Sequence, residues 1–240
     1  EHGMKSNRLH IGLIGGIGVA ATVVYYQRLT AAIANAGGHA DLTIVHADVQ
    51  ELIRNNLADN RQAQAQAYAK LIDRLRDAGA DCVAITSLGG HFCFDETAAI
   101  SSLPLVSAVE PLDEYFTKHG IKSVGLLGTR VVMATKLYGQ LKNTHAAVLE
   151  AETDQLGQAY QDMAVAGICS GTERKMFLDA GQRLIDNHGV NAVVLAGTDL
   201  NLAFDGANVP YTVIDALDVH VDLLAGLALG EITLDRIGFE

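Results

Sequence analysis

The sequence has no tryptophan, three prolines and three cysteines among its 240 residues. So little proline leaves no candidate for a stiff extended linker. Cys82, Cys93 and Cys169 follow no metal-ligand spacing, and an odd, sparse set of thiols argues against a disulfide framework and for a reducing, cytoplasmic setting. Lysine and arginine number 17 against 28 acidic residues, for a formal charge of −11, and no basic cluster occurs. That balance argues against a nucleic-acid or anionic-membrane surface. No apolar run approaches the ~20 residues of a membrane span. Residues 1–7 are polar, lack a signal-peptide core, and read as an added tail around a natural start at Met4.

Glycine is abundant, at 24, and 49% of residues are apolar, a mix that suits helices packed on parallel strands through tight turns. Two stretches organise the chain. Gly79-Ala-Asp-Cys-Val-Ala-Ile-Thr-Ser-Leu-Gly-Gly-His91 has a twin in Gly189-Val-Asn-Ala-Val-Val-Leu-Ala-Gly-Thr-Asp199, at a shift of 110 positions that sets Ser87 opposite Gly197. Each is an apolar, β-prone run after an amphipathic helix, the pattern of a buried parallel strand. Ligands of open α/β sheets bind beyond the carboxyl ends of such strands.

Taken in order, strands are predicted at Leu9–Ile14, Asp41–Ala47, Asp81–Thr86 and Leu103–Ser107. Helices are predicted at Ala20–Ala34, Gln62–Ala78 and about Gly90–Ile100, with Gln50–Asn60 a loop or short helix. The pattern restarts with a helix at Glu110–His119. Val124-Gly-Leu-Leu-Gly-Thr129 repeats Ile11-Gly-Leu-Ile-Gly-Gly16 at a shift of 113. Helices follow at Thr135–Asn143, Asp154–Gly167, Thr172–Asn187 and Ala216–Leu229, with strands at Ala146–Glu150, Asn191–Ala196 and Tyr211–Asp215. The repeated order predicts an α/β fold of two doubly wound parallel-sheet lobes related by pseudo-two-fold symmetry, with a ligand site between them. Residues 1–107 with 216–240 form the expected first lobe, and 108–215 the second.

Gly15-Gly16-Ile17-Gly18 lies between a strand and a helix. Its amides can receive a carboxylate or phosphate, it can be a plain tight turn, or Gly16-x-Gly18-x-x-Ala21 can be a relaxed dinucleotide fingerprint. Against the last, the acidic residue ending the next strand, Asp48, lies 32 positions past Gly16, where ~20 is expected. Thr129, at the equivalent turn, can bind a carboxylate or cap its helix. Ser87 and His91, four apart, can pair as an activated hydroxyl, or serve as a cap and a packed surface histidine. Asp199 is a candidate base or anchor, or the cap of the next helix. Cys82, Cys93, Cys169 and His220 read as packing residues.

Three segments together resemble the cofactor-independent aspartate/glutamate racemase family, over nearly the whole chain. Ile11-Gly-Leu-Ile-Gly-Gly-Ile-Gly18 with Thr22 and Tyr26 is like the family's GGMG or GGMS start. Leu126-Leu-Gly-Thr-Arg130 with Met133 and Tyr138 is like its LLGT-R--M----Y segment, and Asp215-Ala-Leu-Asp-Val-His220 is like its D----H terminus. The resemblance implies an amino-acid racemase-like isomerase, a two-lobed fold with the ligand between the lobes, no cofactor and no metal, a small carboxylate or amino acid as ligand, and a homodimer. It points to Ser87, His91 and Asp199 as catalytic positions. Gly16, Gly18, Asp48, Leu88, Gly89, Thr129, Gly197 and Thr198 are the expected substrate contacts.

The departures fall where the chemistry belongs. The family's C-N-T-x-H reads Ser87-Leu-Gly-Gly-His91 here, and its G-C-T-E reads Ala196-Gly-Thr-Asp199. Cofactor-free racemisation needs two poised groups on opposite faces of Cα, and thiols serve because a pKa of ~8.5 is readily lowered. A serine hydroxyl and a glycine do not replace them. Ordinary two-thiol racemisation is therefore not expected. The alternatives are one-base lyase, decarboxylase or tautomerase chemistry, and ligand binding without turnover by a pseudoenzyme.

Overall fold

The computed structural model describes residues 8–237; the reading of residues 1–7 as an added tail lies outside them. The first sheet has β1 (Ile11–Gly15) between β2 (Leu42–His46) and β3 (Cys82–Ile85), and the second runs β5 (His145–Ala147), β4 (Ser123–Gly128), β6 (Ala192–Ala196), β7 (Val213–Asp215). Every pairing is parallel, with Ile11 opposite both Leu42 and Cys82, and Val124 opposite both Ala146 and Ala192. Strands β1, β3 and β6 are buried along their whole length, which is why they read as unbroken apolar runs. The fold is α/β with two lobes, as the repeat implied.

In the first lobe, α1 (Val19–Asn35) and α10 (Ala216–Leu229) share one core with Ile11, Leu13 and Ala84, and α3 (Arg61–Asp77) packs on the other face. A β-carbon on Gly12 would come within 3.0 Å of Leu75, so glycine lets α3 lie close on β1. The second lobe carries α5 (Pro111–Lys118), α7 (Thr153–Ala166) and α8 (Gly171–His188) around β4 and β6. Ser170 and Glu173 close a capping box on α8, and Gly189 ends it in the left-handed conformation. Among the described residues, no helix is long and apolar enough to cross a membrane.

Of the two readings open for residues 50–60, a loop or a short helix, the helix forms as α2 (Val49–Leu57), capped by Asp48, whose carboxylate accepts from the amides of Gln50 and Glu51. Two segments depart from expectation. The predicted strand at 103–107 reduces to one bridge, Leu105 to Val83. Pro104 has no N–H to give, and Ser107 turns the chain by capping Val109 and Glu110. No helix forms over 135–143. Instead α6 spans only Arg130–Ala134, and Lys136, Leu137, Tyr138 and Gly139 all take positive φ, from 50° to 66°. Three consecutive non-glycine residues there carry strain of ~1 kcal/mol or more each. Burial of Leu137 offsets it, as does the Tyr138 hydroxyl, which donates to the carbonyls of Leu88 (2.8 Å) and Gly89 (3.1 Å).

Candidate functional site

The tips of β3 and β6 meet at the junction of the lobes. The Thr198 hydroxyl donates to the Thr86 carbonyl at 3.0 Å, joining them directly. A 3-10 turn at Gly89–Cys93 leads into α4 (Phe94–Ile100), and Ser87 caps it, its Oγ accepting from the Gly90 amide at 2.9 Å. His91 meets the Ser87 backbone rather than its hydroxyl. Its Nδ1–H donates to the Ser87 carbonyl at 2.6 Å and its Nε2 accepts from the Ala108 amide at 3.1 Å. Both ring nitrogens are thus taken and the tautomer is fixed. Burial pushes its pKa down to about 4, so it is neutral and holds the loop.

Asp199 is buried and crosses between the lobes. Its Oδ1 accepts from the Ala21 amide at 3.1 Å, in the first turn of α1, and its Oδ2 accepts from the Tyr160 hydroxyl at 3.1 Å. The Tyr160 oxygen in turn accepts from the Asp199 amide at 3.1 Å. Burial raises the Asp199 pKa to about 6. The helix terminus that the glycine turn offers therefore holds the chain's own carboxylate. Gly18, at φ +80°, lies so close that a β-carbon there would sit 2.3 Å from either Asp199 oxygen. Across the junction, a β-carbon on Gly197 would lie 2.4 Å from the Tyr160 ring. The tyrosine fills the space that a side chain at 197 would need.

Just outside these tips a cavity of about 100 Å³ opens between the lobes. Ser87, Gly89 and Thr129 are at its floor, α2 supplies one wall and α7 the other. The Thr129 hydroxyl caps α6 by accepting from Val132, and a β-carbon on Gly89 would press within 2.8 Å of Thr129. Only glycine at 89 lets the two loops close on one another. Asn56 of α2 donates to the Gly89 carbonyl at 3.3 Å. A larger hollow of about 270 Å³, lined by Arg61, His91, Asp95 and Glu96 among others, shares no lining residue with this one. We favour the smaller because it holds Ser87 and Gly89 at the β3 tip, where this architecture binds ligands.

Of the expected site residues, the structure brings Ser87, Gly89 and Thr129 to the cavity. Leu88 does not face it; its side chain is buried in the second lobe's core. Asp48 is a helix cap, and Gly16, at φ +89°, packs against His46 and Ala47. Gly18, Gly197, Thr198, His91 and Asp199 lie behind the floor in the contacts just given. Sequence reasoning missed Tyr160, Asn56 and the α2 wall. The spacing of Val49, Leu52, Ile53 and Leu57 is an apolar helical stripe that was available to find the last. Among the described residues no group of three or more His, Cys, Asp or Glu is arranged to hold a metal ion.

Residues 14–224 match the family model described as Asp/Glu/Hydantoin racemase. Among solved structures, the chain is similar to a candidate Asp/Glu racemase from Yersinia pestis, at 24% identity and TM-score 0.76, covering 91% of this chain and 98% of that one. It is also similar to an aspartate racemase homologue from Pyrococcus horikoshii, at 24% identity, TM-score 0.70 and the same coverages. An aspartate racemase from Picrophilus torridus matches at 21% identity and TM-score 0.71, over 91% of this chain and 98% of that one. At such identities these likenesses speak for the fold.

Proposed function

The chain belongs to the Asp/Glu/Hydantoin racemase family, and we propose that it is a racemase-like member that receives a small carboxylate between its lobes without racemising it by the two-thiol route. The observation that carries this reading is the Tyr160 ring against Gly197. One of the two faces that proton exchange needs has no side chain and no room for one. On the other face Ser87 has no base beside it, since both nitrogens of His91 are bonded to backbone. A serine hydroxyl without a base is a hydrogen-bond donor, not a proton acceptor. The Ser87 and Thr129 hydroxyls suit a carboxylate or carbonyl oxygen at the cavity floor. No cofactor enters this reading, and the family resemblance leads us to expect a cytoplasmic homodimer. The exposed stripe of Val19, Val23 and Tyr26 on α1 supports such an assembly.

One-base chemistry is the second reading, favoured by Asp199. Its raised pKa of about 6 lies in the range of a general base, and Tyr160, which lines the cavity, donates to it. The test is α-proton exchange in D₂O, followed by NMR, with both enantiomers of aspartate and glutamate. Wild-type protein is expected to show no exchange at an enzymatic rate, and rapid exchange defeats the proposal. Should a wider screen find turnover, loss of it in Asp199→Asn, with ligand binding retained, selects the one-base reading over binding alone.

A further inference from the structure

Resting on the carboxylate reading of this cavity, we infer that its ligand is a monocarboxylate with a compact, branched aliphatic body, and that a second carboxylate is excluded. The hydroxyls of the cavity lie at its floor, and above them Asn56, Gln161 and Arg130 are the polar side chains of a mainly apolar lining. Outward, α2 presents Leu52, Ile53 and Leu57, and α7 presents Ala164 and Val165. Leu57, on one lobe, and Val165, on the other, are 69% and 48% exposed at the mouth. A ligand carrying apolar surface between them removes both from water. The one charged lining residue is Arg130, and its guanidinium is turned onto α7. It donates to Gln158 at 2.7 Å and lies 3.8 Å from Asp154, crossing α7 at Gly157, where a β-carbon would collide with its stem. A distal carboxylate would meet walls made mostly of Leu52, Ile53, Leu57, Ala164 and Val165, with only the neutral Gln161 amide and a guanidinium already turned onto α7 as polar neighbours, and an anion so poorly paired is costly. A volume of about 100 Å³ is also small.

An isosteric set of probes tests this by isothermal titration calorimetry on the wild-type chain. 4-Methylpentanoate and succinate differ only by an isopropyl group in place of a carboxylate, and 4-methylpentanamide lacks the charge. 4-Methylpentanoate is expected to bind at least about tenfold more tightly than either of the others. Ile53→Lys, which sets a cation on the half-buried α2 wall, is expected to reverse the order of the two acids. Succinate binding more tightly to the wild type overturns the inference and leaves the carboxylate reading standing. The amide binding as well as its acid overturns the carboxylate reading and supports the apolar wall. Failure of all three at millimolar concentration overturns both.

Discussion

Placing a methyl group on Gly197 measures how completely Tyr160 has closed the second face of the site. The backbone there has φ −151° and ψ 122°, which any residue adopts, so Gly197→Ala carries no conformational penalty and its whole cost is steric. The new β-carbon would stand 2.4 Å from Tyr160 Cε2, 2.8 Å from Cζ and 3.0 Å from the hydroxyl oxygen, and the ring must move. Overpacking of this kind costs about 1–3 kcal/mol. Moving the ring also takes its hydroxyl from the buried Asp199 carboxylate, for which a lost bond costs about 1–3 kcal/mol more. At the 2–4 °C per kcal/mol usual for a chain of this length, Tm should fall by roughly 4–24 °C. Urea denaturation followed by circular dichroism, carried through a double-mutant cycle, isolates the cause. In a Tyr160→Ala background the same methyl should cost under about 0.5 kcal/mol, because the two residues are in contact. Gly197→Ala at wild-type stability, or an equal cost in both backgrounds, refutes the reasoning.

Acid should bring out opposing groups. His91 and His220, pushed down to about 4 and about 3 by burial, bind protons more readily when unfolded, so their share of stability is lost as pH falls below 6.5. Asp199, raised to about 6, holds a proton in the folded state first, so its share is present at low pH and lost as pH rises through 6. Asp199→Asn removes that offset, and its urea midpoint should fall more steeply than wild type's between pH 6 and pH 4; parallel curves would contradict the assignment. Tyr138→Phe should release the strained turn at 136–139 from the loop it pins, at a cost of about 1–2 kcal/mol for the lost hydrogen bonds. Amide hydrogen exchange at residues 87–91 should rise while β4 stays protected, and unchanged exchange there would show that the loop does not depend on Tyr138.

What the sequence made legible was whatever is encoded locally. The buried strands stood out because parallel strands covered on both faces must be apolar throughout, and α10 was bounded by Asp215 at one end and Gly230 at the other. The turn at 136–139 was illegible because Lys136, Leu137 and Tyr138 have no preference for left-handed backbone; a buried leucine and a hydroxyl reaching residues 88 and 89 decide it. For the site, the strand-tip rule led to Ser87, the repeated turn to Thr129 and the family resemblance to Gly89. It did not disclose that Asp199 reaches an amide 178 positions away, or that Tyr160 shields Gly197. Those are long-range facts that only packing creates. The α2 wall is different: its apolar spacing was readable, and polar neighbours such as Arg54 and Asn55 concealed it.

The same contacts explain why residue 197, where the family resemblance leads one to expect a thiol, cannot be considered alone. A buried aspartate at 199 needs hydrogen-bond donors, and Tyr160 and the α1 amide supply them. Tyr160 can stand there only because residue 197 has no side chain, and Asp199 can reach α1 only because residue 18 has none. Gly18, Tyr160, Gly197 and Asp199 are thus one packed unit that joins the lobes from inside. A cysteine placed at 197 evicts the tyrosine, and evicting the tyrosine leaves the carboxylate short of a donor. The functional consequence is one of position. With the tips bonded to each other, the space left for a ligand is one layer further out, between α2 and α7, where the walls are apolar. A ligand there can touch Ser87 and Thr129, but it meets no pair of bases set on opposite faces.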